Sequence, residues 1–175
     1  MPLRAADPAP PAPPAPSSRT ADGVRARRPA RPKVVPRLET RARARALQAL
    51  YAWDIRQTAG GGRDLGRVAN EVWEDLMVPI DERRLAAHLV SLVADHADMI
   101  DRDLTIVTTN WRLERLGAIE RSVLRLGSAE LIGVETPPRV AIQEAVRLAE
   151  RYGSVQSAKF VNGVLDALAR HTGRL

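Results

Sequence analysis

The chain has 175 residues, of which 45% are hydrophobic and 27% charged, with no cysteine and a net charge of +6. That length and apolar content suit one domain with a sizeable core, and the missing cysteines exclude disulfides, thiolate-bound zinc and a thiol nucleophile. No run of about 18 apolar residues exists to cross a membrane and no apolar secretory signal opens the chain, so the expected compartment is the cytoplasm.

The charge is unevenly placed. Residues 1–37 hold eight cations (Arg4, Arg19, Arg25, Arg27, Arg28, Arg31, Lys33 and Arg37) against Asp7 and Asp22, whereas the remaining residues are balanced. Ten of the thirteen prolines lie in residues 1–36. Each proline removes a backbone donor and disfavours helix before it, so 1–36 reads as a disordered Pro/Ala/Arg-rich tail and 37–175 as the folded domain. An Arg-rich, acid-poor leader also fits an organellar transit peptide, but the proline spacing prevents the amphipathic helix such peptides form. A basic tail attracts polyanions by counterion release without reading their sequence.

From Leu38 to Gly60 there is neither proline nor glycine between the ends, and Ala46, Leu47, Leu50, Tyr51 and Ile55 recur at helical spacing. Arg37, Arg41, Arg45 and Gln48 trace the opposite stripe, with Arg43 between the two. Four arginines at a helix start, where the macrodipole favours acids, point to phosphate binding; a solvated face with a Glu39–Arg43 pair is the plainer reading. Gly60 to Gly62 form a break without the Lys-Ser/Thr of a phosphate loop. A second helix carries Leu65, Val68, Ala69, Val72, Trp73 and Leu76 on one stripe. Beyond Pro79, Asp81 is positioned to cap one long third helix through Leu104, with Leu85, Leu89, Leu92, Val93, Met99 and Ile100 inward. His88 and His96 on it are eight apart, too far to share a metal ion in the manner of an i,i+4 pair, and His171 suits a helix C-terminus.

The segment Asn110 to Gly133 predicts a helix with Leu116, Ile119, Val123 and Leu126 on one face and Trp111 near its start. Pro137 and Pro138 open the next helix, with Ile142, Ala145, Val146 and Ala149 as its stripe and Gly153 as a left-handed C-cap. The last helix, capped by Ser154 or Ser157, presents Phe160, Val161, Val164, Leu165 and Leu168. Its start holds Lys159, the only lysine outside the tail, beside the only phenylalanine. A cation beside an aromatic at a helix start can hold a phosphate and stack a base, although spacing alone puts Phe160 in the core. Nothing shows the period-2 alternation of strands, so the fold class is all-α, about seven helices in two three-helix-type subdomains. No catalytic constellation, nucleotide fingerprint, cofactor motif or metal set is present, which disfavours an enzyme.

Three stretches, RARARALQALYAWD, LERLGAIERSVLRLGSAEL and PPRVAIQEAVRLAERYGSVQSAKFVNGVLDALA, resemble the bacterial transcription antitermination factor NusB family. The third is the most specific, because it joins AIQEAVRLAERYG to KFVNGVLD; coverage runs from about Arg37 to Ala169. The resemblance implies two three-helix-type bundles and a non-catalytic role: binding the boxA element of nascent ribosomal RNA as single strand, with NusE, the ribosomal protein that doubles as an elongation factor. The pair then acts within an RNA polymerase antitermination complex. Some members form a homodimer instead. It further implies RNA contacts at Arg41 and Arg43, and at Gln156, Lys159 and Phe160, with Glu120 on the NusE-facing side. Gln156 stands where some members have an acidic residue, and Thr108 where some place a Tyr that contacts RNA; Gln can still pair with a base edge, Thr cannot stack. Two other readings are the RNA-binding part of a ribosomal RNA cytosine methyltransferase, for which this chain lacks both the cofactor domain and the Cys, and a non-specific nucleic-acid-binding helical homodimer.

Overall fold

The computed structural model describes residues 37–60, 62, 64–108, 112–133 and 135–175. The tail 1–36 and the expected helix start around Asn110 and Trp111 lie outside the described residues. Within them are seven α-helices and no strand: α1 Leu38–Thr58, α2 Leu65–Asp75, α3 Ile80–Asp95, α4 Ala97–Val107, α5 Ala118–Ile132, α6 Pro138–Tyr152 and α7 Val155–His171. Helices α1, α2 and α3 pack on one another, as do α5, α6 and α7; α4 lies against α5 and α7, and α1 and α3 join the two groups through α5.

The inward face of α1 is Ala42, Ala46, Leu47, Ala49 and Leu50, and small residues there let neighbouring helices approach. Tyr51 and Ile55, expected inward, are exposed. Trp73 of α2 is fully buried and its Nε1 donates to the Arg45 carbonyl at 3.0 Å, so one ring both fills the core and ties α2 to the basic end of α1. Leu124, Leu126 and Leu131 of α5 and Leu165 and Leu168 of α7 are fully buried in the same core; full burial of each such side chain contributes roughly 1.5–3 kcal/mol. Gly127 is what allows α5 to approach α7, because a Cβ there would lie 2.6 Å from Leu165 Cδ1.

Four boundaries differ from expectation. The third helix breaks at His96 (φ −120°), whose Nδ1 donates to the Leu92 carbonyl at 3.0 Å, and α4 starts afresh at Ala97. The N-cap of α3 is Pro79, leaving Asp81 inside the first turn. The segment before α5 is a 3-10 turn, Leu113–Arg115, then extended Leu116 and Gly117, because Arg121 Nη1 draws the carbonyls of Leu113, Glu114 and Leu116 onto itself. Gly153 is not left-handed: its φ of −112° and ψ of −127° swing the chain so that Ser154 can cap α7. Positive φ occurs instead at Gly60, at Gly173 and, among the described non-glycine residues, at Met77 (φ 47°), at the end of α2. Met77 N–H donates to the Glu74 carbonyl and Val78 N–H to the Trp73 carbonyl, the pattern of a Schellman motif with methionine where glycine is favoured.

Candidate nucleic-acid interface

In the run RARAR, alternate arginines go opposite ways, since residues four apart on a helix share a face and the one between them does not. Arg41 and Arg45 lie on the same side, and their Nε atoms donate to the two oxygens of one carboxylate, Glu82 of α3, at 2.7 and 2.8 Å. The Arg45 hydrogen bond, opposed by burial and joined by Arg41, holds Glu82 below the usual carboxylate range. Both guanidiniums are thereby fixed at the surface with their side chains about one-third exposed.

Arg43 is placed differently from the expectation of a phosphate contact. Its side chain is 10% exposed, Nε meets both oxygens of Glu130 at 3.0 Å, and Nη2 meets Oε1 at 2.6 Å. Thr136 Oγ1 donates to the same carboxylate at 3.1 Å. Burial works against the Arg43 charge, but the Glu130 hydrogen bonds outweigh it and hold the guanidinium protonated. Its fork is thus occupied inside the protein.

At the other end of the domain, Ser154 and Ser157 close a reciprocal capping box on α7. Ser157 Oγ in turn donates to Glu120 Oε1, so the first turn of α7 is tied to the first turn of α5. Gly117 makes this possible, because a Cβ there would overlap Glu120 Oε2. The arrangement also changes the picture of a phosphate resting on the helix start, because side-chain oxygens and a carboxylate occupy that end. Gln156 and Lys159 are exposed, and Phe160 is half-buried against the core with its remaining surface on a groove of about 420 Å³. Arg115, Leu116, Glu120, Gln156 and Ser157 complete that groove. Glu120, expected on the NusE-facing side, lines this groove together with Gln156 and Phe160. Thr108 is buried at the end of α4, its Oγ1 donating to the Leu104 carbonyl at 2.7 Å.

A second cleft of about 260 Å³ lies at the start of α1. It is lined by Thr40, Arg41, Ala44 and Arg45 of α1 and by Arg151 and Tyr152 at the end of α6. Two residues, Gly153 and Ser154, carry the chain from this cleft to α7 and the Gln156–Phe160 groove. Tyr152 of the cleft and Ser154 of the groove are thus two residues apart in the chain. Arg45 is one of the four arginines that the sequence offers for phosphate binding, whereas Arg151 and Tyr152 carry no signal of a site in the sequence and are brought to Arg41 and Arg45 only by the fold.

Among the described residues no group of three or more His, Cys, Asp or Glu is placed to hold a metal ion, and no helix is long and apolar enough to cross a membrane. His88 meets Glu135 at 3.2 Å on the surface, apart from His96.

The model of the NusB family matches residues 40–170. The transcription antitermination protein NusB of Anaeromyxobacter dehalogenans is 43% identical over 132 residues, covering 74% of this chain and 89% of that protein. The NusB of Sorangium cellulosum is 41% identical, covering 76% and 92%. Among solved structures, T. maritima NusB superposes with a TM-score of 0.67 at 31% identity, covering 78% of this chain and 92% of that one. A NusB solved with NusE and double-stranded RNA gives a TM-score of 0.68 at 33% identity, covering 78% and 99%. With a family match across most of its length and an all-α fold shared with solved relatives, this chain belongs to the NusB family.

Proposed function

We propose that this protein is a transcription antitermination factor that binds the boxA element of nascent ribosomal RNA together with NusE, and so supports processive transcription of ribosomal RNA. The observation that carries the reading is a basic cleft lined by Arg41, Arg45, Arg151 and Tyr152, together with a groove lined by Gln156 and Phe160 and the exposed Lys159 of the same helix start. Arginine forks hold phosphates, an exposed ring accepts an unpaired base, and a glutamine amide pairs with a base edge, which together suit single-stranded RNA. A NusB relative solved with NusE and RNA supports both partners. In this reading residues 37–175 form the RNA-binding domain, and the tail cations add attraction that does not depend on RNA sequence.

Titration of labelled boxA and scrambled RNA, each with and without NusE, tests the proposal. Tighter binding of boxA than of scrambled RNA, strengthened by NusE, is expected; equal affinity for both under all four conditions overturns it in favour of a non-specific binder.

A further inference from the structure

We propose that the turn joining α2 to α3 is a docking knob for a protein of the transcribing complex other than NusE, one whose surface offers an apolar socket edged by lysine or arginine. The inference rests on the antitermination reading, which places the chain in such a complex, and adds to it a protein-contact surface.

Exposure sets this turn apart. Met77 and Ile80 are the two most exposed large apolar side chains among the described residues, at 86% and 74%, and exposed Leu76 and Pro79 adjoin them in the chain. Contiguous apolar surface of this kind marks a contact site, because its burial is favourable and the fold leaves it in water. None of the four residues lines the Arg41–Tyr152 cleft or the Gln156–Phe160 groove.

The backbone of the turn points the same way. Met77 is held at φ 47°, which costs a residue with a Cβ and which glycine adopts freely. Its exposed thioether gives the fold little packing to offset that cost, whereas a flexible methionine adapts well to a partner's pocket. The turn is also firmly mounted. Val78 within it is buried, Trp73 before it donates to the Arg45 carbonyl, and Glu82 after it holds Arg41 and Arg45. An apolar projection on a fixed backbone loses little freedom on docking.

Charge selects the occupant. From residue 74 to residue 81 the exposed charged side chains are Glu74, Asp75 and Asp81, with Arg84 one turn further along α3. None of these three acids makes an ion pair with another described residue. Uncompensated carboxylates around an apolar centre repel RNA phosphates and the same turn of a second copy, while they steer and orient a basic protein surface.

The chain contains no cysteine, so Met77→Cys accepts a benzophenone label at one site, with Val140→Cys on the exposed surface of α6 as its control. Each labelled full chain is photolysed in an elongation complex assembled from purified RNA polymerase, a boxA-bearing transcript and NusE. The label at position 77 is expected to join a polymerase subunit at an apolar segment flanked by lysine or arginine, and the label at position 140 to leave the polymerase unmodified. Retention of unlabelled Met77→Gly or Ile80→Ser on the complex should fall about 5- to 10-fold, and that of Asp75→Asn/Asp81→Asn about 2- to 5-fold with a weaker salt dependence. All three should bind boxA RNA and NusE within about 2-fold of the parent. Because Met77→Gly relieves the backbone, its lost retention separates docking from misfolding. Cross-links from position 77 to RNA, to NusE or to a second copy overturn the inference, as does retention of every variant within about 2-fold of the parent. In those cases selective binding of boxA with NusE leaves the antitermination reading standing. Failure of the unaltered chain and NusE to select boxA removes that reading, and the docking knob with it.

Discussion

Arg43 of α1 is paired through both its Nε and Nη2 with Glu130 of α5, and this buried pair sets how the basic end of α1 sits on the domain. Eleven residues on, the polarity reverses: Asp54 of α1 receives Arg121 and Arg125 of α5. Two helices whose charges are swapped at opposite ends fit only antiparallel and in one register. Arg125 extends the second cluster to Asp101 of α4 at 2.8 Å and lies 5.5 Å from the Trp53 ring centroid. The start of α1 is thereby held while Arg41 and Arg45 face outward.

Arg43→Ala therefore removes a structural pair rather than a phosphate contact. Leaving Glu130 buried without its cation is expected to cost about 3–5 kcal/mol. Thermal denaturation should show a large drop in Tm for Arg43→Ala and a small one for Arg41→Ala. The salt slope of RNA binding should change the other way, falling by about one for Arg41→Ala and staying constant for folded Arg43→Met/Glu130→Leu, in which apolar side chains replace both charges. A reduced slope in that double variant would return Arg43 to the RNA surface.

The difference between Arg41 and Arg43 also shows what could be read in the sequence. Helical periodicity identified the class, the number of helices and the inward faces of Leu47, Leu50, Val123 and Leu165, because burial of apolar stripes is a local pattern. It could not say which arginine in RARAR turns inward, since that depends on a glutamate 87 residues away. The break at His96 was equally hidden: the apolar stripe continues through it, and the interruption is a side-chain bond to the preceding turn. Phe160 was legible only in part, its spacing giving the buried side and the resemblance the exposed one. Arg151 and Tyr152 come to Arg41 only because the fold brings the end of α6 to the start of α1.

Glu120 and Ser157 give a second prediction. Ser157→Ala opens the capping box and releases Glu120, which is expected to cost about 0.5–2 kcal/mol and to loosen the turn that presents Gln156 and Lys159. RNA affinity should fall about 3- to 10-fold with an unchanged salt slope, because no phosphate contact is lost. Glu120→Gln keeps an acceptor for Ser157 and should leave RNA affinity near that of the parent. If Glu120 also meets NusE by its charge, that same variant weakens the heterodimer, so the two affinities measured on one protein separate the positioning role from the partner contact.

Met77 provides a test of the fold that is independent of the RNA surface. Its side chain is 86% exposed and its backbone left-handed, so it contributes little packing while carrying the steric cost of a Cβ at positive φ. Met77→Gly is expected to stabilise the protein by about 0.5–1 kcal/mol, read as a higher Tm, with RNA binding unchanged. A lower Tm would mean that the thioether makes contacts that outweigh the backbone strain.

Acid should unfold the protein through the carboxylates that hold α1. Burial works to raise the Asp54 pKa, but hydrogen bonds and charges from Arg121 and Arg125 outweigh it and hold the group below the usual range. Glu82 is lowered as well, first by its bond to Arg45. In each case the unfolded chain takes up a proton at a higher pH than the folded one. Their contribution is complete above the unfolded values of about 4 and is lost as pH falls through the lower folded values. Tm is thus expected to be flat in this respect near neutrality and to decline below about pH 4.5. Asp54→Asn should lower Tm at pH 7, where it leaves Arg121 and Arg125 short of a carboxylate, and should flatten the decline in acid. A variant whose Tm runs parallel to the parent's from pH 7 to pH 3 would show that Asp54 titrates alike in both states, and would remove the ion cluster as the acid-sensitive clamp between α1 and α5.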